Sequence, residues 1–318
     1  MNFRVVFMGS PEFAVPTLRA LNERFLVTGV VTQPDKEKGR GRKTLPSAVK
    51  VAAAELGLPV LQPTRLMSPE TLVVLEQWRP DVIVVAAYGK ILPSRILSLP
   101  PMGCVNLHAS LLPRYRGASP ISAALLAGDH VTGVCTILMD QGMDTGDILL
   151  QKEIAILDTD TAGTLQDRLM AEGADLVIET LRRMSEKRVQ AVPQDHEKAT
   201  YTRLLTKADG HIFWEKDAKY LELLIRAMNP WPGAFSELSG ETVKIWEAVS
   251  VEGTARPGSI VGTQPEGILV GTGEGLLLLK QIQAPGRKRV SAAEFARGRR
   301  LRQGENFNSS TSGLTVKD

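Results

Sequence analysis

The stretch DVIVVAAYG, residues 81–89, decides the fold class. It is apolar without interruption from Val82 to Ala87 and is stopped by a glycine. A strand with one wet face would alternate, so this run reads as a strand buried on both faces, the habit of parallel sheets covered by helices.

Neighbouring segments extend the pattern in both directions. FRVVFM (3–8) is a second apolar strand, closed by Gly9-Ser10-Pro11 and followed by a helical pattern from Val15 to Asn22. FLVTGVVTQ (25–33) reads as a strand, residues 34–45 as a charged loop, SAVKVAAAELG (47–57) as a helix, LPVLQP (58–63) as a short strand and 69–77 as a helix. Strands alternating with helices predict a Rossmann-like α/β domain with a mostly parallel sheet. After Gly89 the order changes: CVNLHAS (104–110), GVCTILMD (133–140) and DILLQKEIAI (147–156) read as strands, SPISAALLAGD (119–129) as a helix, and 161–184 as a long helix with an apolar stripe.

These elements define a first domain over 1–188. Polar, weakly periodic residues 189–207 read as a linker. Beyond them, WEKDAKYLELLIRAMN (214–229) is helical, and TVKIWEAVS, GSIVG and GILVGTGEGLLLLKQIQ are short strand runs split by glycine and charge. They predict a second domain, 208–306, built as a small β-barrel or sandwich, with 307–318 as a polar, flexible tail.

Composition excludes several classes. With 43% hydrophobic and 23% charged residues, the 318-residue chain reads as globular. Its net charge of +3 implies no polyanion by itself, but the charge is unevenly placed. Residues 256–302 hold nine Lys or Arg against three Glu, and KEKGRGRK (36–43) holds five basic residues against one acidic. Two such clusters suit a nucleic acid whose phosphates they straddle, with a cleft between; a solvated charged loop is the plain alternative. Two lone cysteines suggest a reducing compartment, no leader pattern precedes the first strand, and no apolar run is long enough for a bilayer. The expectation is a cytoplasmic protein without a membrane role.

The chemistry-bearing stretch is GCVNLHASLLPRYRGASP (103–120). Asn106 and His108 are two apart on an extended segment, so their side chains share a face. An uncharged amide donor beside an imidazole suits a carbonyl oxygen that gains charge while a proton moves nearby. The same pair could merely satisfy loop backbone. MDQGMDTGDIL (139–149) offers Asp140, Asp144 and Asp147 as carboxylates that could orient His108 or hold a turn, and spacing does not choose among them. There is no GxSxG elbow for a serine nucleophile, no GxGxxG turn, no phosphate-loop lysine and no metal-ligand spacing. Cys104 reads as buried core rather than as a nucleophile. What remains is direct attack by an external nucleophile on a bound carbonyl.

VNLHASLLPRYRGASPI together with MDQGMDTGDIL resembles the enzymes that use 10-formyltetrahydrofolate as a formyl donor. QPDKEKGRGRKTLPSAVK, AMNPWPGA and the ending from APGRKR to ARGRRL narrow the resemblance to the methionyl-tRNA formyltransferases, over all but the last dozen residues. The resemblance implies Asn106, His108 and Asp144 as catalytic residues, an OB-like C-terminal barrel, methionyl-initiator tRNA as partner, and a monomer. It implies a folate pocket around Tyr88, Gly89, Ser110, Leu111, Leu112, Pro113, Met139, Asp140 and Gly142. For substrate and tRNA it implies Arg40, Arg42, Lys43, Arg114, Arg116, Lys288, Arg289, Arg299 and Arg300, with Arg114 and Arg116 as arginines that brace their loop through carboxylates as the alternative. No metal is expected. The competing readings are a formyltransferase for a small amine, such as an amino-sugar nucleotide or glycinamide ribonucleotide, and a tRNA-binding module without catalysis.

Overall fold

In the computed structural model of the chain, residues 3–38 and 43–308 are described. Arg40 and Arg42 lie outside the described residues. The chain divides into two compact units, one made of residues up to Pro120, His130–Ile156 and Leu165–Arg203, the other of Ile121–Asp129, Leu157–Thr164 and the chain from Leu204 on.

The first unit is a seven-stranded sheet in the order Ile148–Ala155, Val131–Leu138, Cys104–His108, Val82–Ala86, Arg4–Gly9, Leu26–Val31, Val60–Leu61. The five strands from Cys104–His108 to Val60–Leu61 run parallel, Val131–Leu138 runs antiparallel to Cys104–His108, and Ile148–Ala155 antiparallel to Val131–Leu138. Val82–Ala86 is buried along its whole length, as its unbroken apolar run requires. Two of its helices start where a serine oxygen accepts a first free amide: Ser47 Oγ from Lys50 N–H at 3.0 Å, Ser68 Oγ from Thr71 N–H at 3.3 Å. The charged loop contains a short hairpin, Lys36–Lys38 against Lys43–Leu45.

Two features of this sheet place the site. Arg4–Gly9 sits between Leu26–Val31, the next strand in sequence, and Val82–Ala86, which the chain reaches only after crossing back. Ligands of open α/β sheets bind beyond the carboxyl ends of the strands at such a switch point. There Gly9 is close-packed: a Cβ on it would stand 2.8 Å from both Ala14 Cβ and the Ala86 carbonyl oxygen. The second feature is the helix Ala162–Ser185, whose Gly173 lets it approach Leu107, a Cβ there falling 2.8 Å from the leucine Cδ2. Thr136 and Thr180 share a hydrogen bond of 2.8 Å on the same side. The helix therefore covers the Leu107 face of Cys104–His108 and leaves the Asn106 and His108 face to other contacts.

The second unit is an antiparallel sheet ordered Ile260–Gln264, Gly267–Gly271, Leu276–Gln283, Glu241–Val251, Ala234–Leu238, Phe307–Asn308. Its two ends meet: Phe307 N–H donates to Gly258 C=O at 2.8 Å and Ile260 N–H to Glu305 C=O at 2.7 Å, so the sheet curls onto itself. The expectation of a tail from 307 is corrected for Phe307–Asn308, which form a strand, while 309–318 lie outside the described residues. Phe307 is buried against Trp214, ring centroids 5.3 Å apart, and burying such a side chain contributes about 1.5–3 kcal/mol. One large apolar residue in a polar stretch gave too short a pattern to read. Ala218–Ala227, capped by Asp217, and Ala292–Arg299, opened by the capping box of Ser291 and Glu294, are the helices packed on this sheet.

Candidate active site

Asn106 and His108 project from the central strand Cys104–His108 and are nearly buried, at 9% and 6% exposure. Asp144 reaches them from the loop after Val131–Leu138. Asn106 Nδ2–H points to Asp144 Oδ1 at 3.4 Å, His108 Nδ1 faces Asp144 Oδ2 at 3.6 Å, and Gly117 N–H donates to the same Oδ2 at 2.8 Å. On the other side of the ring, His108 Nε2 lies 2.9 Å from the Tyr115 carbonyl oxygen. A carbonyl only accepts, so Nε2 carries hydrogen and Nδ1 is left as the nitrogen that can take a proton.

The three aspartates are now distinguished. Asp140 accepts from Gly142 N–H at 3.0 Å and Thr145 Oγ1–H at 2.6 Å, which makes it the brace of its own turn. The Asp147 carbonyl takes Leu138 N–H in the strand pairing. Asp144 alone of the three meets the histidine, and it does so from a left-handed backbone, φ 54°.

Apolar residues flank the polar pair on its own face. Alternation puts Cys104 there, and the register puts Ile137 opposite Asn106 and Cys135 opposite His108. Cys135 and Ile137 pack with Leu112 and Ile148. Cys104 packs with Tyr88, Leu92 and Ile96, against which Met139 leans. Tyr88 and Leu112 thus belong to separate clusters on either side of Asn106 and His108. The Tyr88 hydroxyl is buried without a hydrogen-bond partner among the described residues, and burial pushes its pKa up to about 12. Gly89, with φ 75°, turns the chain after it, and Gln33 Nε2–H holds the Tyr88 carbonyl at 2.8 Å. In the loop after the strand, Ser110 is fully buried and its Oγ–H donates to Arg114 C=O at 2.6 Å; Leu111 lies over Gly133, Leu112 C=O accepts from Gln151 Nε2–H at 2.9 Å, and Pro113 C=O from Thr200 N–H at 3.3 Å.

Two readings from sequence are corrected. Arg116 is 1% exposed and faces inward, donating to Gln194 Oε1 at 3.1 and 2.8 Å, to the Tyr201 hydroxyl at 3.2 Å and to His196 Nδ1 at 3.1 Å. It is a brace inside the protein, not a surface for tRNA. Most of the segment read as a linker, 189–203, is likewise part of the first unit: Val192 bridges Ile148, and Tyr201–Thr202 pairs in parallel with Arg116–Gly117. Its polar side chains satisfy the loops of the site, so the absence of apolar periodicity marked a polar contact role instead of a free connection. Gln194, overlooked in the sequence, is buried at its centre.

Both cysteines are buried, and burial pushes each thiol up to about 12, which leaves them protonated and unreactive at neutral pH. Arg114 is exposed and lies on the Tyr115 ring at 4.8 Å. Lys288, Arg289 and Arg300 are exposed, with the Arg289 guanidinium 4.2 Å from the centre of the Trp246 ring. Arg299 is paired with Glu241 and stacks on Phe295. Lys43 belongs to the hairpin strand Lys43–Leu45. Among the described residues no group of His, Cys, Asp and Glu could hold a metal ion.

Comparison with known proteins matches the chain to a family. The formyl transferase family model covers residues 1–181, and the model of the formyl transferase C-terminal domain covers 204–300. The methionyl-tRNA formyltransferase of Acetivibrio thermocellus is 45% identical over 95% of this chain and 98% of its own length. That of Caldanaerobacter subterraneus is 47% identical over 95% of this chain and 98% of its own. Among solved structures, an N-formyltransferase from Helicobacter canadensis, in complex with folinic acid and dTDP-3-aminofucose, shares the fold at a TM-score of 0.63 and 17% identity, covering 89% of this chain and all of that one.

Proposed function

The chain belongs to the methionyl-tRNA formyltransferase family, and on that premise we propose that Asn106, His108 and Asp144 serve transfer of a formyl group to the α-amine of methionine carried by initiator tRNA. The observation that carries this reading is the identity with methionyl-tRNA formyltransferases along almost the whole chain, second unit included. A formyltransferase for a small amine accounts for the first unit but leaves the basic surface of the second without use.

The donor is a folate, and we assign 10-formyltetrahydrofolate, whose N10 formyl group supplies the electrophilic carbonyl carbon. The residues present fit it: apolar walls from Leu112, Ile137 and Cys135 on one side and Tyr88, Leu92 and Met139 on the other border the polar pair, and such pockets combine apolar walls with a few oriented polar groups. Tyr88, Gly89, Leu111, Leu112, Pro113 and Met139 are the residues we assign to hold it, with Ser110 and the Asp140–Gly142 turn bracing the loops.

Asn106 has two amide hydrogens. One is directed to Asp144, and the second is available to an oxygen that gains charge as its carbonyl is attacked. The amine reacts as –NH₂, so its nitrogen must shed a proton. His108 Nδ1 faces the Asp144 carboxylate at 3.6 Å, and together they form the acceptor for that proton and the source of the one that N10 takes up as its bond to the formyl carbon breaks and tetrahydrofolate leaves. Exposed Arg114, Lys288, Arg289 and Arg300, together with Arg299 and with Arg40, Arg42 and Lys43 of the basic loop, are assigned to the tRNA phosphates. A cytoplasmic monomer is the setting this function implies; no helix among the described residues is long and apolar enough to cross a membrane.

The test is to supply 10-formyltetrahydrofolate with either methionyl-tRNA or an amino-sugar nucleotide and identify the formylated product by mass. The reading expects N-formylmethionyl ester from the first and no product from the second. Turnover confined to the sugar would overturn it.

A further inference from the structure

Asp144 depends for its place on groups outside the site proper. Its φ of 54° is one that L-residues other than Asn and Asp seldom adopt, and such a conformation persists only where the surroundings hold it. The residue doing so is Gln194. Its Nε2 hydrogens go to two carbonyls of the same turn, that of Asp144 at 2.8 Å and that of Gly146 at 2.7 Å. Its Oε1 accepts from Arg116 Nε at 3.1 Å and Nη2 at 2.8 Å. Gln194 is 6% exposed and Arg116 1%, so these bonds are sheltered from water.

We propose that Gln194, polarised by the buried Arg116 cation, is the positioning residue that fixes the Asp144 turn for proton transfer, resting on the catalytic reading of Asp144 given above. The direction of the hydrogen bonds supports the coupling. A cation donating to Oε1 withdraws electron density from the amide, so its N–H groups donate more strongly to the two carbonyls. Arg116 is itself oriented by Tyr201 and His196, from the same segment as Gln194. Its own chain closes the circuit: the Tyr115 carbonyl holds His108 Nε2, and the Gly117 amide holds Asp144 Oδ2 at 2.8 Å. Both partners of the 3.6 Å histidine–carboxylate gap are thus set by residues adjoining one buried arginine.

Gln194→Glu tests this. The glutamate keeps the acceptor for Arg116 and nearly the same volume, but removes both donors to the turn. The account expects kcat for formyl transfer to fall on the order of 10²-fold, the effect of a small misplacement at a reacting centre, with KM for the tRNA unchanged. In an Asp144→Asn background the same substitution should add little, because the carboxylate it positions is already gone. Equal losses in both backgrounds would mean a general structural role and overturn the proposal. Amide hydrogen exchange gives a readout independent of turnover: the Gly117 amide should exchange about tenfold faster in Gln194→Glu, the factor carried by one lost hydrogen bond, while Leu107 in the strand is unaffected. Unchanged Gly117 protection would also overturn it. If Gln194→Glu does not fold, Gln194→Met carries the same two readouts. Absence of methionyl-tRNA formylation by the unmodified protein would refute the functional reading, and the exchange result would still decide the positioning.

Discussion

His108 Nδ1 and Asp144 Oδ2 face each other across 3.6 Å, a gap too long for a direct hydrogen bond. Both are nevertheless oriented, the histidine through Nε2 at the Tyr115 carbonyl and the carboxylate through the Gly117 amide. Two groups able to take a proton are held near each other without being spent on each other. That is the arrangement a proton leaving a bound amine requires.

Replacing Asp144 by Asn preserves an oxygen for the Gly117 amide but removes the charge. Formylation should slow by roughly 10²–10⁴-fold, the usual worth of a positioned acid or base, with thermal stability little changed. Single-turnover rates on methionyl-tRNA measure this; a loss below tenfold would remove Asp144 from the proton path.

Asn106 acts on a different quantity. Its free amide hydrogen is useful only as charge develops on the attacked carbonyl, so Asn106→Ala should lower kcat by about 10²–10³-fold and leave KM nearly unchanged. Separate determination of the two constants decides it, and a rise in KM alone would assign Asn106 to ground-state binding.

Much of this centre was legible in the sequence, for physical reasons. Residues two apart on a strand must share a face, which placed Asn106 with His108, and an unbroken apolar run at 82–87 could only be a buried strand. Spacing could not choose among Asp140, Asp144 and Asp147, because which carboxylate folds back depends on backbone angles in a glycine-rich turn. Gln194, and the choice between surface and brace for Arg116, could not be read for another reason. Charge and polarity suggest a surface, yet here a buried arginine meets polar acceptors more than 70 residues away in the chain. Phe307 closes the second unit's sheet through a pairing that only the folded curl of that sheet creates.

His211 supplies a prediction about pH. It is buried beside Phe213 and Phe235, and burial holds its pKa below the ordinary histidine value in spite of Glu237 and Glu215. The unfolded chain takes up a proton near the ordinary histidine value of about 6.5, before the folded one does. The associated stability is therefore complete above about pH 6.5 and is lost as pH falls toward the folded value. Urea unfolding of the protein and of His211→Leu from pH 7.5 downward should show the unmodified protein losing stability more steeply; parallel curves would contradict this.

Arg289 should report the nucleic acid. Exposed and stacked on Trp246, it presents a preorganised cation. Arg289→Ala should weaken tRNA binding and reduce the slope of log affinity against log salt by about 1, the signature of one lost phosphate contact. An unchanged slope would take Arg289 out of the interface.

The most direct test of the whole account is formyl transfer from 10-formyltetrahydrofolate to methionyl-initiator tRNA, run beside free methionine and methionyl-elongator tRNA, with Asn106→Ala as control. Turnover on the initiator tRNA, far slower on the other two acceptors and reduced by about 10²–10³-fold in the control, is the predicted result. Equal turnover on free methionine, or full activity without Asn106, would contradict it.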